Sequence, residues 1–113
     1  MASMFEAPRN DPLLKRFRAA VGEIYGDRVE RVVLFGSRAR GDAQPDSDYD
    51  IAVFPRDMTD TDRAAEMNRL ADLSTAILYD GGPFIHAMPY RSSSYNAERM
   101  PLMHEIRADG IDL

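Results

Sequence analysis

The most constraining feature of this chain is the stretch VVLFGSRARGDAQPDSDYDIAVF, which runs from Val32 to Phe54. Its two apolar runs predict two strands, and the glycine- and proline-containing segment between them predicts a turn followed by a loop. The second strand is predicted to carry two carboxylates, Asp48 and Asp50. Because alternate residues of a strand project from the same face, we expect these carboxylates side by side, with Tyr49 pointing the other way.

Two carboxylates on one face of a sheet repel each other unless a cation lies between them. Oxygen ligands suit a hard divalent ion such as Mg2+, which proteins usually share with substrate phosphates. Gly36 and Ser37, in the turn after the first strand, would supply the other half of such a site. Glycine lets the backbone approach a ligand, and the serine offers a hydroxyl and a backbone N–H at a predicted helix start.

Length, charge and cysteine content exclude several classes of protein. With 113 residues, the chain is predicted to be one domain over residues 1–113. It has no cysteine, which excludes disulfides and thiolate chemistry, and its net charge of -5 disfavours direct binding to nucleic acid. The sequence shows no apolar run of membrane-spanning length and no secretory pattern, so we expect no membrane contact and a cytoplasmic location.

The remaining pattern predicts an α/β protein of two packed layers. Residues 1–10 are predicted to form a flexible tail, and Asp11 is expected to cap the first helix. Predicted helices cover residues 12–25, about 60–79 and about 96–108. The first motif strand is predicted over 29–35, and further strands over 84–88 and 111–113. The side chains expected to face the core are Leu13, Phe17, Val21 and Ile24 of the first helix, and Met67, Leu70, Ser74, Ile77 and Leu78 of the second.

The spacing of the motif residues identifies a resemblance. Ten residues separate Ser37 from Asp48, and one residue separates Asp48 from Asp50. This pattern resembles the nucleotidyltransferase superfamily that includes the DNA polymerase beta-like and kanamycin nucleotidyltransferases. GSRARG followed by SDYDIAVF is most similar to the minimal nucleotidyltransferases encoded beside HEPN-domain proteins. The resemblance covers about a fifth of the chain and implies a small mixed β-sheet packed by helices, with the catalytic face at the ends of the first two strands.

Nucleotidyl transfer is the attack of a hydroxyl on the α-phosphate of a nucleoside triphosphate, with pyrophosphate leaving. The resemblance implies that Asp48 and Asp50 hold Mg2+ or Mn2+ and that ATP is the substrate. It also implies that Ser37 and the Gly36 backbone bind the distal phosphates. The alternative for the two aspartates is a structural capping pair.

Two arginines in the same motif, Arg38 and Arg40, are candidates for contact with the leaving pyrophosphate. An ion pair with a loop aspartate is an equal alternative for them, because arginine serves both uses. Asp42 and Asp46 lie in the polar loop that follows and are predicted to be solvated charges rather than metal ligands.

The chain departs from the resembled family at the third strand. Active members usually carry a third carboxylate there, and this strand reads FIHAM. His86 shares a face with Phe84 and Met88 and is the polar residue nearest to the missing position. A neutral imidazole can accept a proton, which makes His86 a candidate catalytic base. The alternative is a packed or exposed structural histidine.

Two functions therefore stay open at the level of sequence. In the first, the chain resembles the antitoxins that transfer AMP from ATP to a tyrosine hydroxyl of a partner HEPN toxin, within a hetero-oligomer. In the second, it keeps the nucleotide-site scaffold and neutralises its partner by association. The intact Gly-Ser and Asp-x-Asp elements favour the enzyme, and the missing carboxylate favours the binding module. An antibiotic-modifying transferase is a third possibility, although such proteins generally need a further domain.

Overall fold

The computed structural model describes residues 10–81 and 83–113, and the α/β prediction is confirmed. The predicted tail therefore lies outside the described residues except for Asn10. Four strands and four α-helices form in the described part of the chain: α1 Pro12–Tyr25, β1 Val29–Phe35, α2 Ser37–Arg40, β2 Tyr49–Pro55, α3 Arg63–Tyr79, β3 Ile85–Pro89, α4 Pro101–Asp109 and β4 Ile111–Asp112.

The strands form one mixed sheet in the order β3-β2-β1-β4. β1 pairs antiparallel with β2 on one side and with β4 on the other, whereas β2 pairs parallel with β3. A parallel pair needs a crossover, which α3 supplies here. The register places Asp50 opposite Phe35 of β1 and opposite His86 of β3. Asp50 thus lies on the middle one of three paired strands, with Phe35 on one side and His86 on the other.

Helices cover both faces of the sheet, so the two-layer prediction is wrong. One buried cluster joins α1 and α3 to one face, and a second cluster joins Met103 and Ile106 of α4 to Val33, Ala52 and Phe54 on the opposite face. Burial on both sides explains why β2 reads IAVF without alternation. Within residues 10–81 and 83–113, we find no helix with the length and apolar character that crossing a membrane requires.

The predicted helix stripes are correct in the middle and wrong at their ends. Phe17, Val21, Leu70, Ser74 and Ile77 are buried as expected, but Ile24 is 38% exposed and Leu78 is 42% exposed. Successive helix residues differ by about 100° in direction, so burying Tyr25 and Ile77 turns their neighbours Ile24 and Leu78 outward. Leu14 takes the inward position expected for Leu13, which is only partly buried.

Side-chain hydrogen bonds occur at the start of α1 and in the turn before α3. The Asp11 carboxylate accepts the Leu13 N–H at 2.8 Å and caps α1 as predicted. Thr59 and Asp62 form a reciprocal box just before α3: the Asp62 N–H donates to the Thr59 hydroxyl at 3.2 Å, and that hydroxyl donates to the Asp62 carboxylate at 2.8 Å. The hydrogen bonds that the Thr59 hydroxyl and, at 3.3 Å, the Thr59 backbone N–H donate to the Asp62 carboxylate lower the pKa of that carboxyl. The regular helix begins only at Arg63, and α4 begins at Pro101 rather than Asn96, after a 3-10 turn over Ser92–Asn96.

Candidate functional site

The Gly-Ser turn lies directly against the Asp50 carboxylate. Gly36 directly follows β1 with φ +74° and ψ -156°, a backbone conformation that residues other than glycine rarely adopt. A Cβ placed on Gly36 would lie 2.6 Å from Oδ2 of Asp50, inside van der Waals contact. The structure therefore brings together the two halves of the predicted site, and it leaves room at this point for glycine alone.

Asp48 lies one residue before β2 rather than inside it, and it is exposed. Its carboxylate makes no hydrogen bond or ion pair with any residue that the structure describes. Among the described residues, Asp50 forms its ion-pair contact with His86, whose Nδ1 lies 3.6 Å from Oδ1 of Asp50. Since no Lys or Arg described here neutralises either acid, the carboxylate oxygens of Asp48 and Asp50 suit a divalent cation.

The protein donors at this position are few. No group of three or more His, Asp and Glu side chains close enough to hold a metal ion occurs in the described ranges. A divalent ion at Asp48 and Asp50 would therefore take its other ligands from substrate phosphates and water, as Mg2+ characteristically does.

Ser37 opens α2, a single helical turn that follows β1. Its carbonyl oxygen accepts the N–H groups of Gly41 at 3.0 Å and Asp42 at 3.2 Å, which closes the turn. The Ser37 hydroxyl and backbone N–H have no hydrogen-bond partner among residues 10–81 and 83–113. These donors are the groups that the motif predicts for phosphate binding.

Arg40 is engaged by acids on the loop and on α4. Its Nε lies 3.2 Å from Asp42, and its Nη1 lies 3.7 Å from Glu105 and 3.8 Å from Asp109. The hydrogen bond to Asp42 is the main cause of the raised pKa of Arg40. In this structure Arg40 thus makes the ion pair with a loop aspartate that the sequence leaves open. A phosphate contact would require it to leave these partners.

Arg38 points to the opposite side of α2 and contacts the loop instead of an acid. Its Nη2 donates to the carbonyl oxygens of Ser47 at 2.7 Å and Pro45 at 3.0 Å. Its guanidinium carbon lies 4.4 Å from the centre of the Tyr49 ring. The two motif arginines therefore have different surroundings, although the sequence gives both the same candidate role.

His86 lies beside the predicted metal site. The parallel register between β2 and β3 pairs it with Asp50, and 57% of its side chain is exposed. Its ring stacks on Phe84, with 6.5 Å between ring centres and 24° between ring planes. An exposed imidazole next to Asp50 is in a position to accept a proton from a substrate bound there.

Sequence reasoning missed the contact between Tyr49 and Asp11. Tyr49, which stands between the two site aspartates in the sequence, is buried. Its hydroxyl donates to the Asp11 carboxylate, the group that also caps α1. Burial, followed by this hydrogen bond, raises the pKa of Tyr49 to about 12. The alternation of β2 correctly turns the ring inward, but no local pattern indicates a partner 38 residues earlier.

The fold and the site define a small α/β domain in which a glycine turn meets the Asp50 carboxylate of an Asp-x-Asp motif at the start of β2. Residues 14–91, more than two thirds of the chain, match the family described as the nucleotidyltransferase domain. A protein of Methanocaldococcus jannaschii named "Putative protein adenylyltransferase" is 32% identical over 83 residues, which cover 74% of this chain and 75% of that relative. The chain belongs to the nucleotidyltransferase domain family.

A second protein of the same organism and the same name is 39% identical over 46 residues. This match covers 41% of the chain and spans less than half of the relative, 46% of its length. The chain therefore shares only part of that relative's sequence.

Solved structures agree on the fold. A crystal structure described as "a putative nucleotidyltransferase from Sulfolobus solfataricus" superposes with a TM-score of 0.65 at 18% identity, covering 99% of this chain and 87% of the other. A crystal structure of a toxin-antitoxin with AMP-PNP superposes with a TM-score of 0.57 at 16% identity, covering 87% of this chain and 70% of the other. At these identities the likeness concerns the fold.

Proposed function

We propose that this chain is a protein adenylyltransferase that acts as an antitoxin. It transfers AMP from ATP to a tyrosine hydroxyl of a partner HEPN-domain toxin, with which it forms a hetero-oligomer. The names of the matched relatives support a protein acceptor, and the toxin-antitoxin structure of the same fold supports a toxin partner. The tyrosine and the HEPN domain follow from the family that the sequence motif resembles. The observation that carries the proposal is the contact between Gly36 and Asp50, because it joins a phosphate-binding turn to a carboxylate that no described Lys or Arg neutralises.

Each group of the site has a role in this reaction. Asp48 and Asp50 would hold Mg2+ or Mn2+, which when bound neutralises charge on the phosphates. The hydroxyl and backbone N–H of Ser37 would bind the distal phosphates. The tyrosine oxygen of the acceptor forms a bond to the α-phosphorus of ATP, and the bond from that phosphorus to the bridging oxygen breaks. Pyrophosphate leaves with the bond electrons, and His86 accepts the hydroxyl proton.

We expect His86→Ala to lower the rate of AMP transfer by about 10²-fold or more, because a positioned general base contributes at least this much. The affinity for ATP should change little, since the imidazole faces the attacking hydroxyl rather than the triphosphate. Single-turnover rates and equilibrium ATP binding separate the two effects. His104→Ala is the matched control, because His104 lies on α4 and contacts the carbonyl oxygen of Glu98. An unchanged transfer rate for His86→Ala would return His86 to a structural role.

A second function is favoured by one observation. The described part of the chain holds no group of three potential metal ligands, and β3 lacks the acid that active members of the resembled family usually carry. The domain would then neutralise the toxin by binding alone. Under this alternative the nucleotide is not consumed and the partner is not modified.

Intact mass spectrometry of the partner separates the two functions. The HEPN-domain protein is incubated with this chain, ATP and Mg2+, and its mass is compared with that of a sample lacking ATP. If the chain is a transferase, the mass of the partner should increase by that of one or more adenylyl groups. Mutation of the partner's acceptor tyrosine should abolish this increase. A stable complex whose partner mass does not change would support the binding module and contradict the transferase.

A further inference from the structure

One guanidinium holds both chain neighbours of Asp48. Arg38 donates through Nε and Nη2 to the carbonyl oxygen of Ser47, at 3.2 and 2.7 Å, and packs over the ring of Tyr49. Ser47 and Tyr49 flank Asp48 in the sequence. The backbone of Asp48 is therefore fixed from both sides by a side chain that starts on α2.

The loop that carries Asp48 has few other attachments. Asp48 is exposed, and its carboxylate makes no hydrogen bond or ion pair with any described residue that would fix its direction. Within the loop, Ser47 exchanges two bonds with Gln44, the Gln44 N–H to the Ser47 hydroxyl at 2.9 Å and the Ser47 N–H to the Gln44 carbonyl at 3.0 Å. These bonds shape the loop internally. Arg38 ties the loop to α2 through its bonds to Ser47 and a further bond to Pro45 at 3.0 Å.

The opposite side of this arrangement is rigid. Tyr49 is 5% exposed, and its hydroxyl donates to Asp11 at the start of α1. Arg38 thus packs against a ring that burial and a hydrogen bond hold in place. A planar guanidinium can donate two converging hydrogen bonds to one carbonyl oxygen while its face covers an aromatic ring, and an ammonium group cannot do both.

We propose that Arg38 is a positioning residue that orients Asp48 for metal binding, and not a phosphate ligand. This inference rests on the proposed function, since it takes Asp48 as a metal ligand. Two of the three guanidinium nitrogens of Arg38 already donate to loop carbonyls. Residues that orient a metal ligand commonly change metal affinity by 10- to 100-fold when they are removed.

The test measures metal binding rather than turnover. Mn2+ is titrated into the full chain with a saturating ATP analogue whose α,β-bridge is a methylene group, and free Mn2+ is followed by electron paramagnetic resonance. We expect Arg38→Ala to raise the Kd of Mn2+ about tenfold or more. The Kd of the analogue at saturating Mn2+ should stay at the wild-type value, because Arg38 does not hold the phosphates.

Arg56→Ala is the matched control. Arg56 also donates through Nε to a backbone carbonyl, that of Asp27 at 2.9 Å. It lies just after the last residue of β2, at the end of the strand away from Asp48. Its removal should leave both Kd values unchanged. Arg38→Lys keeps the charge without the geometry, so it should lose Mn2+ affinity as Arg38→Ala does. It also keeps the inference testable if Arg38→Ala does not fold.

Three results would overturn the positioning role. One is a higher Kd for the analogue with an unchanged Kd for Mn2+, which is the signature of a phosphate ligand. Another is wild-type values for Arg38→Ala in both titrations, and the third is full recovery of Mn2+ affinity by Arg38→Lys. A wild-type chain that binds no Mn2+ with the analogue would instead contradict the proposed function itself, and the positioning role would fall with it.

Discussion

Replacing Asp48 and Asp50 together with Asn is expected to abolish metal-dependent ATP binding and to reduce AMP transfer by at least about 10³-fold. Asparagine keeps the shape of the side chain and removes the charge that holds the cation. Metal ions supply several kcal/mol of charge stabilisation in reactions of this kind, and each 1.36 kcal/mol is about a tenfold change in rate. Binding of ATP with Mg2+ and transfer to the partner are the measurements.

The same double variant should keep the fold. Asp48 is exposed, and no described Lys or Arg pairs with Asp50, so removing both charges relieves a repulsion and breaks no ion pair with Lys or Arg. We expect the free energy of unfolding to stay within about 0.5 kcal/mol of wild type or to rise. Asp46→Asn with Asp72→Asn is the matched control, because both aspartates are exposed and the change in net charge is the same. Unchanged transfer in the Asp48, Asp50 variant would contradict the site assignment.

The sequence predicted best the elements whose signals are local. Apolar runs separated by turn residues indicated β1 and β2, and their connection is short enough to make them neighbours. The spacing of the motif then indicated that the Gly36 turn and Asp50 belong to one site, and the structure brings them into contact. Alternation along β2 turned Tyr49 inward, because a period of two residues follows directly from strand geometry.

Features that depend on distant partners could not be predicted. Arg38 and Arg40 are two residues apart and looked equivalent, but Arg40 meets Glu105 and Asp109 of α4, more than 60 residues later in the chain. The role of Arg38 depends on how the loop before Asp48 folds back onto α2. The second layer of helices was missed for the same reason, since periodicity shows which residues of α4 are buried and not which face of the sheet they cover.

Gly36→Ala is the single substitution for which we expect the largest loss of stability. The backbone at Gly36 lies in a region that L side chains adopt at a cost of about 1–3 kcal/mol. The added methyl group would also lie 2.6 Å from Oδ2 and 3.4 Å from Cγ of Asp50, so the turn or the carboxylate must move. Overpacking of this kind adds about 1–3 kcal/mol. Denaturant unfolding should show the loss, and AMP transfer should fall with it because Asp50 is displaced.

Alanine substitutions at two other glycines separate the backbone cost of Gly36→Ala from its steric cost. Gly26 has φ +55° and no atom within 4 Å of an added Cβ, so Gly26→Ala measures the backbone cost without a contact. Gly22 lies inside α1, where an added Cβ meets only Arg18 at 3.6 Å, and Gly22→Ala should raise stability by about 0.5–1 kcal/mol.

A double-mutant cycle with Asp50→Ala then identifies the contact. If the Asp50 carboxylate is what Gly36→Ala meets, the cost of Gly36→Ala should fall in the Asp50→Ala background to about that of Gly26→Ala. An undiminished cost in that background would mean that the backbone conformation, rather than the fit between the turn and the carboxylate, demands glycine at this position. The proposed reaction depends on that fit. The same cycle therefore measures how strongly the Gly36 turn and the Asp50 carboxylate are coupled in the free energy of unfolding.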